Sequence, residues 1–553
     1  LIEPFPAFAE ALMNLGLTPA PSGDMIGYLV AIDGIHATII GAAGRAYQGW
    51  SVGHHIIIKR SDARIIGLVT EMKSQASPGR DRDAHLDAPF IQVTVELVGE
   101  ISDHKDYVRY RRGLRLYPEL GATCHPISAR DLASIYSVEG DDGIDVGYLS
   151  NNPGITARFN VDQLLTRHFA VLGSTGVGKT TGVAMLMRLC LEERENLRVI
   201  ILDPHNEYQG HFPGQSVVLN SETLEIPFWI FRYDEISDII FAGRTPRMEE
   251  QDALFELIRT ARIRFATQPS QSSSNLRRLS AAEAINLTAD TPTPYRVADM
   301  IKVIDDWLGQ LERPFPINDL RTLRNRIESI ARDPRFRFMF GRTLVEDNMD
   351  IVLGRTFRVP TDDKPVTIIE LGGLPNEVVN AVVSVLARLA FDIAFWSEGA
   401  YEISFVCEEA HRYVPRDHSL GFFPTRMALG RIAKEGRKYG VSLGVVSQRP
   451  AEIDPTVLSQ CSTVFAMRMP NEVDKSIIRN ALSEYSASLV NLLPAIADRE
   501  AIAFGEAVPT PMRMTFGESK YRVDSAARLQ MVPAGGLAGL QRIVNRLRGD
   551  APA

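Results

Sequence analysis

Apolar and polar positions alternate with several distinct rhythms along the chain. Residues 5–16 (FPAFAEALMNLG) carry apolar side chains at helical spacing and stop at Gly16 before the breaker string TPAPSG, which predicts a short N-terminal helical segment within 1–24. From Met25 to about Leu116 the rhythm changes to short β-rich runs (IGYLVAI, HATIIG, HIIIK, ARIIGLVTE, FIQVTVELVGEI) punctuated by Gly, Asp and Ser, as in a small barrel or sandwich. Within that region, residues 72–86 (MKSQASPGRDRDAHL) read as an exposed loop. After Phe169 an apolar strand, a Gly-rich turn, a helix and a second apolar strand follow (FAVLGSTGVGKTTGVAMLMRLCLEE, then LRVIILDPH). Strands that are apolar throughout predict a parallel sheet covered on both faces, so this is a βαβ unit.

Around 235–345 the chain becomes helical and charged, broken at 268–275 (QPSQSSSN) and 291–295 (TPTPY), and reads as a helical insertion. Apolar strands return at 366–371, 402–409, 441–448 and 461–469, alternating with helices at about 376–397 and 425–439. Residues 511–553 read as a short extended tract followed by a helix (GLAGLQRIVNRLRG). The pattern as a whole predicts an α/β core.

Composition changes this picture little. The 553 residues suffice for three or four domains or for two with large insertions, and 45% hydrophobic with 23% charged residues is ordinary for a folded chain. Sixty basic against 68 acidic residues give a net charge of −8, so a nucleic acid or anionic membrane must be met by local patches rather than by a basic body. Of the basic residues 50 are Arg and 10 Lys; Arg suits bidentate phosphate pairing, and codon bias accounts for the excess equally well. Four scattered cysteines without CxxC spacing suggest neither a zinc site nor disulfides, which fits a reducing cytoplasm. The most apolar stretch, 381–396, is interrupted by Arg388 and Asp392, so no membrane span is expected.

The chemistry concentrates in a few motifs. GSTGVGKT, Gly173 to Thr180, fits the P-loop: its glycines let backbone N–H groups curl round phosphate oxygens, Lys179 reaches the β and γ phosphates and the Thr180 hydroxyl ligates Mg²⁺. The candidate ATP-binding set is Gly173, Ser174, Thr175, Gly176, Val177, Gly178, Lys179, Thr180 and Thr181. Such a loop needs acids at a strand end, and ISFVCEEAH offers Glu408 for the metal and Glu409 to polarise the attacking water. Two solvated turn acids are the competing reading. Asp203 in DPHNEY is a second candidate for Mg²⁺, with an Asx turn as its alternative. Gln448, at the end of VSLGVVSQ, is placed to sense a γ phosphate or to serve in a plain turn. Arg431, Lys434, Arg437 and Lys438 repeat at helical spacing in RIAKEGRKYG, as a solvated basic face or as the source of an arginine finger. His205 and His411 beside the acids read as packing residues, and the Arg-rich run 321–342 reads as helix packing before it reads as a nucleic-acid patch.

Together these segments resemble the HerA family of hexameric DNA-translocating ATPases, relatives of the FtsK DNA pumps. The resemblance rests on RHFAVLGSTGVGKTT (167–181), DPHNEY (203–208), VTIIELGGLP (366–375), FVCEEAHRYVP (405–415), RIAKEGRKYGVSLGVVSQRPAEIDPTVLSQCST (431–463) and AIAFGEAV (501–508) in one order. It implies a RecA-like P-loop core at 161–234 and 355–510, a HerA-type β-barrel at 25–160, a helical insertion at 235–354 and a C-terminal extension at 511–553. It further implies Lys179 and Thr180 as the Walker A pair, Glu408 as the Walker B acid, Glu409 as the catalytic glutamate, Gln448 as sensor, Arg437 as an intersubunit arginine finger and Arg167 as a second intersubunit nucleotide contact. The family more often has Asp or Ile at the position of Glu408 and Gly at that of Asn206.

The expected function is an ATP- and Mg²⁺-dependent double-stranded DNA translocase or helicase, a homo-hexamer working with a partner nuclease (NurA-like) in end resection or with a defence effector (a nuclease or sirtuin-like NADase) against phage. A scaffold ring that assembles and activates such a partner without obligatory translocation is the alternative. The loop 412–426, with Arg412, Arg416 and Arg426, is the expected DNA-facing loop, or else an ordinary connector.

Overall fold

The computed structural model describes residues 26–42, 50–75, 90–103, 108–138, 143–241, 244–267, 284–341, 349–360, 363–481 and 484–518. The expected helices at 5–16 and 536–549, the break at 268–275 and most of the expected loop at 72–86 lie outside these residues. The chain divides into two compact units, Leu1–Arg194 with Gly444–Glu518, and Glu195–Leu443.

The first unit opens with β1 (Gly27–Asp33), β2 (His36–Ala42), β3 (His55–Lys59), β4 (Arg64–Gln75), β5 (Phe90–Asp103), β6 (Val108–Arg112) and β7 (Thr123–Pro126). They hydrogen-bond in the order β2-β1-β7-β3-β4-β5-β6, and β2 also pairs with β5. That pairing closes six strands into a barrel and leaves β6 outside, on β5. The β-branched runs that predicted these strands supply the filling: Leu29, Ile39, Ile56, Ile58, Ile65, Val93 and Val95 are fully buried in one cluster. After the barrel come β8 (Gly143–Leu149), β9 (Asn152–Asn160) and β10 (Phe169–Leu172), the last buried at every residue.

In the second unit, β11 (Leu197–Asp203), β12 (Ser216–Leu219), β13 (Val366–Glu370) and β14 (Glu402–Cys407) lie in the order β12-β13-β11-β14, all parallel. β11 is buried throughout, as a strand covered on both faces must be. Between β12 and β13 the chain makes the expected helical excursion, including Tyr233–Phe241, Met248–Thr267, Val297–Gly309 and Ile317–Arg332. In its Arg-rich run Arg324 pairs with Asp305 at 2.9 Å and with Glu328 at 3.0 Å, Arg335 pairs with Asp333 at 2.7 Å, and Arg326 donates to the Ile240 carbonyl at 3.0 Å. Arg324 and Arg326 thereby join neighbouring helices, and Arg335 stays local.

Among the described residues one helix, Val378–Trp396, is long and apolar enough to cross a membrane, and most of it is buried. Its interrupting Arg388 is the reason it fits there: the guanidinium meets Glu235 at 3.0 Å, and Glu235 also accepts from the Ser384 hydroxyl at 2.7 Å. A buried ion pair satisfied in this way fastens helix Tyr233–Phe241 to helix Asn376–Trp396.

The division falls within β15 (Val441–Ser447), after Leu443. From Gly444 onward β15 runs parallel to β10, which is parallel in turn to β16 (Thr463–Ala466). Beyond β16 the first unit continues antiparallel through β17 (Glu500–Gly505), β18 (Met512–Phe516), β8 and β9. The expected barrel range of 25–160 thus runs past the barrel's own strands, because β8 and β9 hydrogen-bond with β18. Gly147 makes this pairing possible, since a Cβ there would meet the Thr515 carbonyl oxygen at 2.0 Å.

Candidate functional site

The first unit holds the P-loop. The carboxyl end of β10 leads into Gly173, and the helix Lys179–Glu193 begins directly after Gly178. Gly176 (φ 79°) and Gly178 (φ 99°) adopt the left-handed backbone that a side chain disfavours, which is why the turn needs glycine at both. No side-chain hydrogen bond caps the helix at Gly178, and the positive end of its dipole favours an anion there.

The loop is braced from several sides. Gly173 N–H donates to the Ser447 carbonyl at 3.2 Å, the Ser174 N–H and hydroxyl both donate to the Arg468 carbonyl at 3.0 Å, and Arg499 N–H donates to the Val177 carbonyl at 2.9 Å. A Cβ on Gly173 would come within 2.8 Å of Met467 Cβ. Lys179 is nearly buried, and its Nζ is satisfied by the Ser174 carbonyl at 3.0 Å. Thr180 and Thr181 are half-buried in the first helical turn. The Thr175 hydroxyl donates to Gln448 Oε1, so the sequence-predicted sensor touches the loop directly. Arg167, just after the helix Val161–Thr166, is ion-paired with Glu506.

Sequence reasoning missed the strap behind this loop. Arg468 pairs with Asp498 at 2.5 Å, and Arg499, at a φ of 64°, also donates to the Gly517 carbonyl at 2.6 Å. A positive φ at a residue other than Gly has no signature in sequence.

The second unit holds the acids. Asp203 ends β11 with no exposed surface, and its carboxylate accepts the His205 N–H at 3.3 Å and the Tyr208 N–H at 2.9 Å. Both oxygens thus accept from the turn that follows, as in the Asx-turn reading of Asp-Pro. Asn206 turns at a φ of 57°, a conformation Asn tolerates better than most side chains and Gly tolerates best.

Glu408 and Glu409 follow β14 and are 5% and 6% exposed. The fully buried Tyr208 donates its hydroxyl to Glu408 Oε2 at 2.5 Å. Burial and the adjacent Glu408 push the Tyr208 phenol well above its usual range, so it stays a donor. Glu409 has a φ of 52° and lies between two imidazoles, His411 Nδ1 at 3.2 Å and His205 Nε2 at 3.7 Å. Both histidines therefore belong to the acid cluster, where a packing role was expected; each stands two residues after an acid, which was the available signal.

Among the described residues no group of three or more His, Cys, Asp or Glu is arranged around a metal. A P-loop site needs less, since Mg²⁺ takes most of its ligands from phosphates and water. The Thr180 hydroxyl in the first unit and the Glu408 carboxylate in the second are each hard oxygen donors of the kind Mg²⁺ takes.

The predicted basic residues are spread over the second unit. Arg437 is exposed on the turn Gly436–Tyr439 and forms no ion pair among the described residues. Arg431 lies 3.9 Å over the Phe391 ring, a packing role. In the loop 412–426, Arg412 and Arg416 are exposed, while Arg426 donates to the His418 carbonyl at 3.2 Å and covers the Phe423 ring.

The chain is similar to several known proteins. Residues 144–390 match the family described as "Helicase HerA, central domain". The chain is 25% identical over 463 residues to the DNA double-strand break repair helicase HerA of Pyrococcus furiosus, covering 76% of each chain. It is also 25% identical over 504 residues to the protein of the same name from Sulfolobus acidocaldarius, covering 88% of this chain and 92% of that one. Among solved structures, VirB4 of Thermoanaerobacter pseudethanolicus is similar over 70% of this chain and 99% of its own, with a TM-score of 0.49 at 16% identity. With a braced P-loop and a family match that extends from the strands before the loop to residue 390, the chain is similar to the HerA helicases and carries the P-loop of an ATP hydrolase.

Proposed function

We propose that this chain is an ATP-driven double-stranded DNA translocase that acts as a homo-hexameric ring together with a partner nuclease or effector. The supporting observation is the division of labour between its two polar clusters. The uncapped helix behind Gly178, with Lys179, holds the phosphates of ATP, while Glu409 orients water for attack on the γ phosphate. When bound, Mg²⁺ neutralises phosphate charge. Thr180 and Glu408 are the residues that hold it, and Gln448, hydrogen-bonded to Thr175, responds to the state of the loop.

Arg437, exposed and without an ion pair among the described residues, serves a neighbouring subunit's site. Arg167 must exchange Glu506 for nucleotide before it can do the same. The names of the relatives, break-repair helicases, support DNA as the track. Arg412, Arg416 and Arg426 contact its phosphates.

The test is ATP hydrolysis with and without linear duplex DNA, alongside duplex-dependent displacement of a third strand. Duplex should stimulate the wild type, and the double variant Arg416→Ala/Arg426→Ala should keep basal hydrolysis while losing most of the stimulation. A double variant stimulated like the wild type would remove the loop from the DNA path. A wild type that never displaces the third strand, yet activates a co-purifying nuclease or NADase with ATP merely bound, would replace the motor with a scaffold.

A further inference from the structure

The Tyr208–Glu408 contact has no place in the chemistry assigned so far. Tyr208 is an aromatic side chain with no solvent exposure, 200 residues from its partner in sequence, and it gives its hydroxyl to one carboxylate oxygen at 2.5 Å. Hydroxyl-to-carboxylate bonds of this length are charge-assisted and strongly directional. The backbone of the same residue is fixed independently, because its N–H is held by Asp203 Oδ2 at 2.9 Å and its turn passes through the left-handed Asn206. The donor therefore cannot follow the carboxylate; the carboxylate must follow the donor. Glu408 leaves β14 beside Glu409, whose own left-handed backbone turns the chain away from the strand. The carboxylate in that position is nearly buried and takes the Tyr208 hydroxyl at Oε2, which ties its orientation to the donor.

We propose that Tyr208 is a positioning residue that holds the Glu408 carboxylate in the orientation required to receive the divalent cation of the bound nucleotide. Asp203, whose oxygens are occupied by the backbone, is on this view the foundation of the Tyr208 turn and acts at one remove from the metal. The proposal rests on the reading of Glu408 as the metal-binding acid. Groups that orient a metal ligand through a hydrogen bond typically change metal affinity by about 10- to 100-fold when removed.

The experiment uses the full chain with a non-hydrolysable ATP analogue bound and Mn²⁺ in place of Mg²⁺, its binding followed by electron paramagnetic resonance. Tyr208→Phe should weaken Mn²⁺ by about 10-fold or more, with metal-free affinity for the analogue within two-fold of wild type. Glu408→Gln should also weaken Mn²⁺, and adding Tyr208→Phe to it should cause no further loss, because the hydroxyl acts only through the carboxylate. Tyr208→Met, which fills similar space without a hydroxyl, replaces the Phe variant if that chain does not fold. Mn²⁺ affinity in Tyr208→Phe within two-fold of wild type, with Glu408→Gln weakened, would overturn the positioning role and leave Glu408 as ligand. Additive losses in the double variant would overturn it as well, by showing that Tyr208 acts through general packing. Unchanged Mn²⁺ binding in Glu408→Gln would remove the reading of Glu408 and the proposal with it.

Discussion

The P-loop and the acid cluster are held in place by opposite means. The loop is held through its backbone: amides of Gly173, Ser174 and Arg499 and carbonyls of Ser447, Arg468 and Val177 form the frame, and two glycines supply the torsions. The acid cluster is held through side chains, with Tyr208 on Glu408 and two imidazoles beside Glu409, around a turn fastened to Asp203. A frame of backbone tolerates changes of side chain and fails where torsions change. A frame of side chains does the reverse, and each substitution there tests a separate interaction.

The strongest test of this contrast is Lys179→Ala, which removes the one cation of the loop that the backbone cannot replace. ATP binding by equilibrium dialysis should fall below detection at micromolar protein, with hydrolysis reduced by about 10³-fold or more. Next is Glu409→Gln, which should lower the hydrolysis rate by about 10²- to 10⁴-fold while ATP still binds with near wild-type affinity. If binding and hydrolysis fell together, the two clusters would not be functionally separable.

A smaller effect is expected for Gly178→Ala. The left-handed torsion alone disfavours the substitution by about 1–2 kcal/mol, and the new Cβ would meet Arg499 Cγ at 3.2 Å. Thermal unfolding should move to lower temperature, and ATP affinity should fall by up to about 10-fold. Smallest of the four is Gln448→Ala, which loses one hydrogen bond to Thr175, or about 0.5–1.5 kcal/mol, and should weaken ATP by up to about 10-fold with little change in unfolding temperature. An unfolding shift in Gln448→Ala equal to that of Gly178→Ala would contradict the idea that the loop is a backbone device.

The same contrast explains what could be read before the structure. The P-loop is contiguous, so spacing alone places Gly173 to Thr180 between an apolar strand and a helix. The parallel strands were legible because burial on both faces leaves unbroken apolar runs such as VIIL in β11, and the barrel because its β-branched runs recur at short intervals. β8 and β9 escaped because they are partly exposed and mixed in polarity; their place beside β18, which falls in the expected extended tract, depends on a close approach at Gly147 that only the fold reveals. Tyr208 escaped because its partner is 200 residues away, and a tyrosine ending DPHNEY looks like any other turn residue. His205 and His411 stand two residues after an acid, but that spacing does not say that both rings reach Glu409.

The left-handed backbone of Glu409 has a consequence for protein engineering. A non-glycine residue there costs the fold about 1–2 kcal/mol relative to glycine, which adopts the same torsion freely. A thermostability screen applied to this chain would therefore favour Glu409→Gly among its survivors, and in doing so select against the carboxylate proposed to orient water. Hardier variants recovered at this position should be the catalytically silent ones, so any stabilisation effort on this scaffold has to couple melting temperature to turnover from the first round.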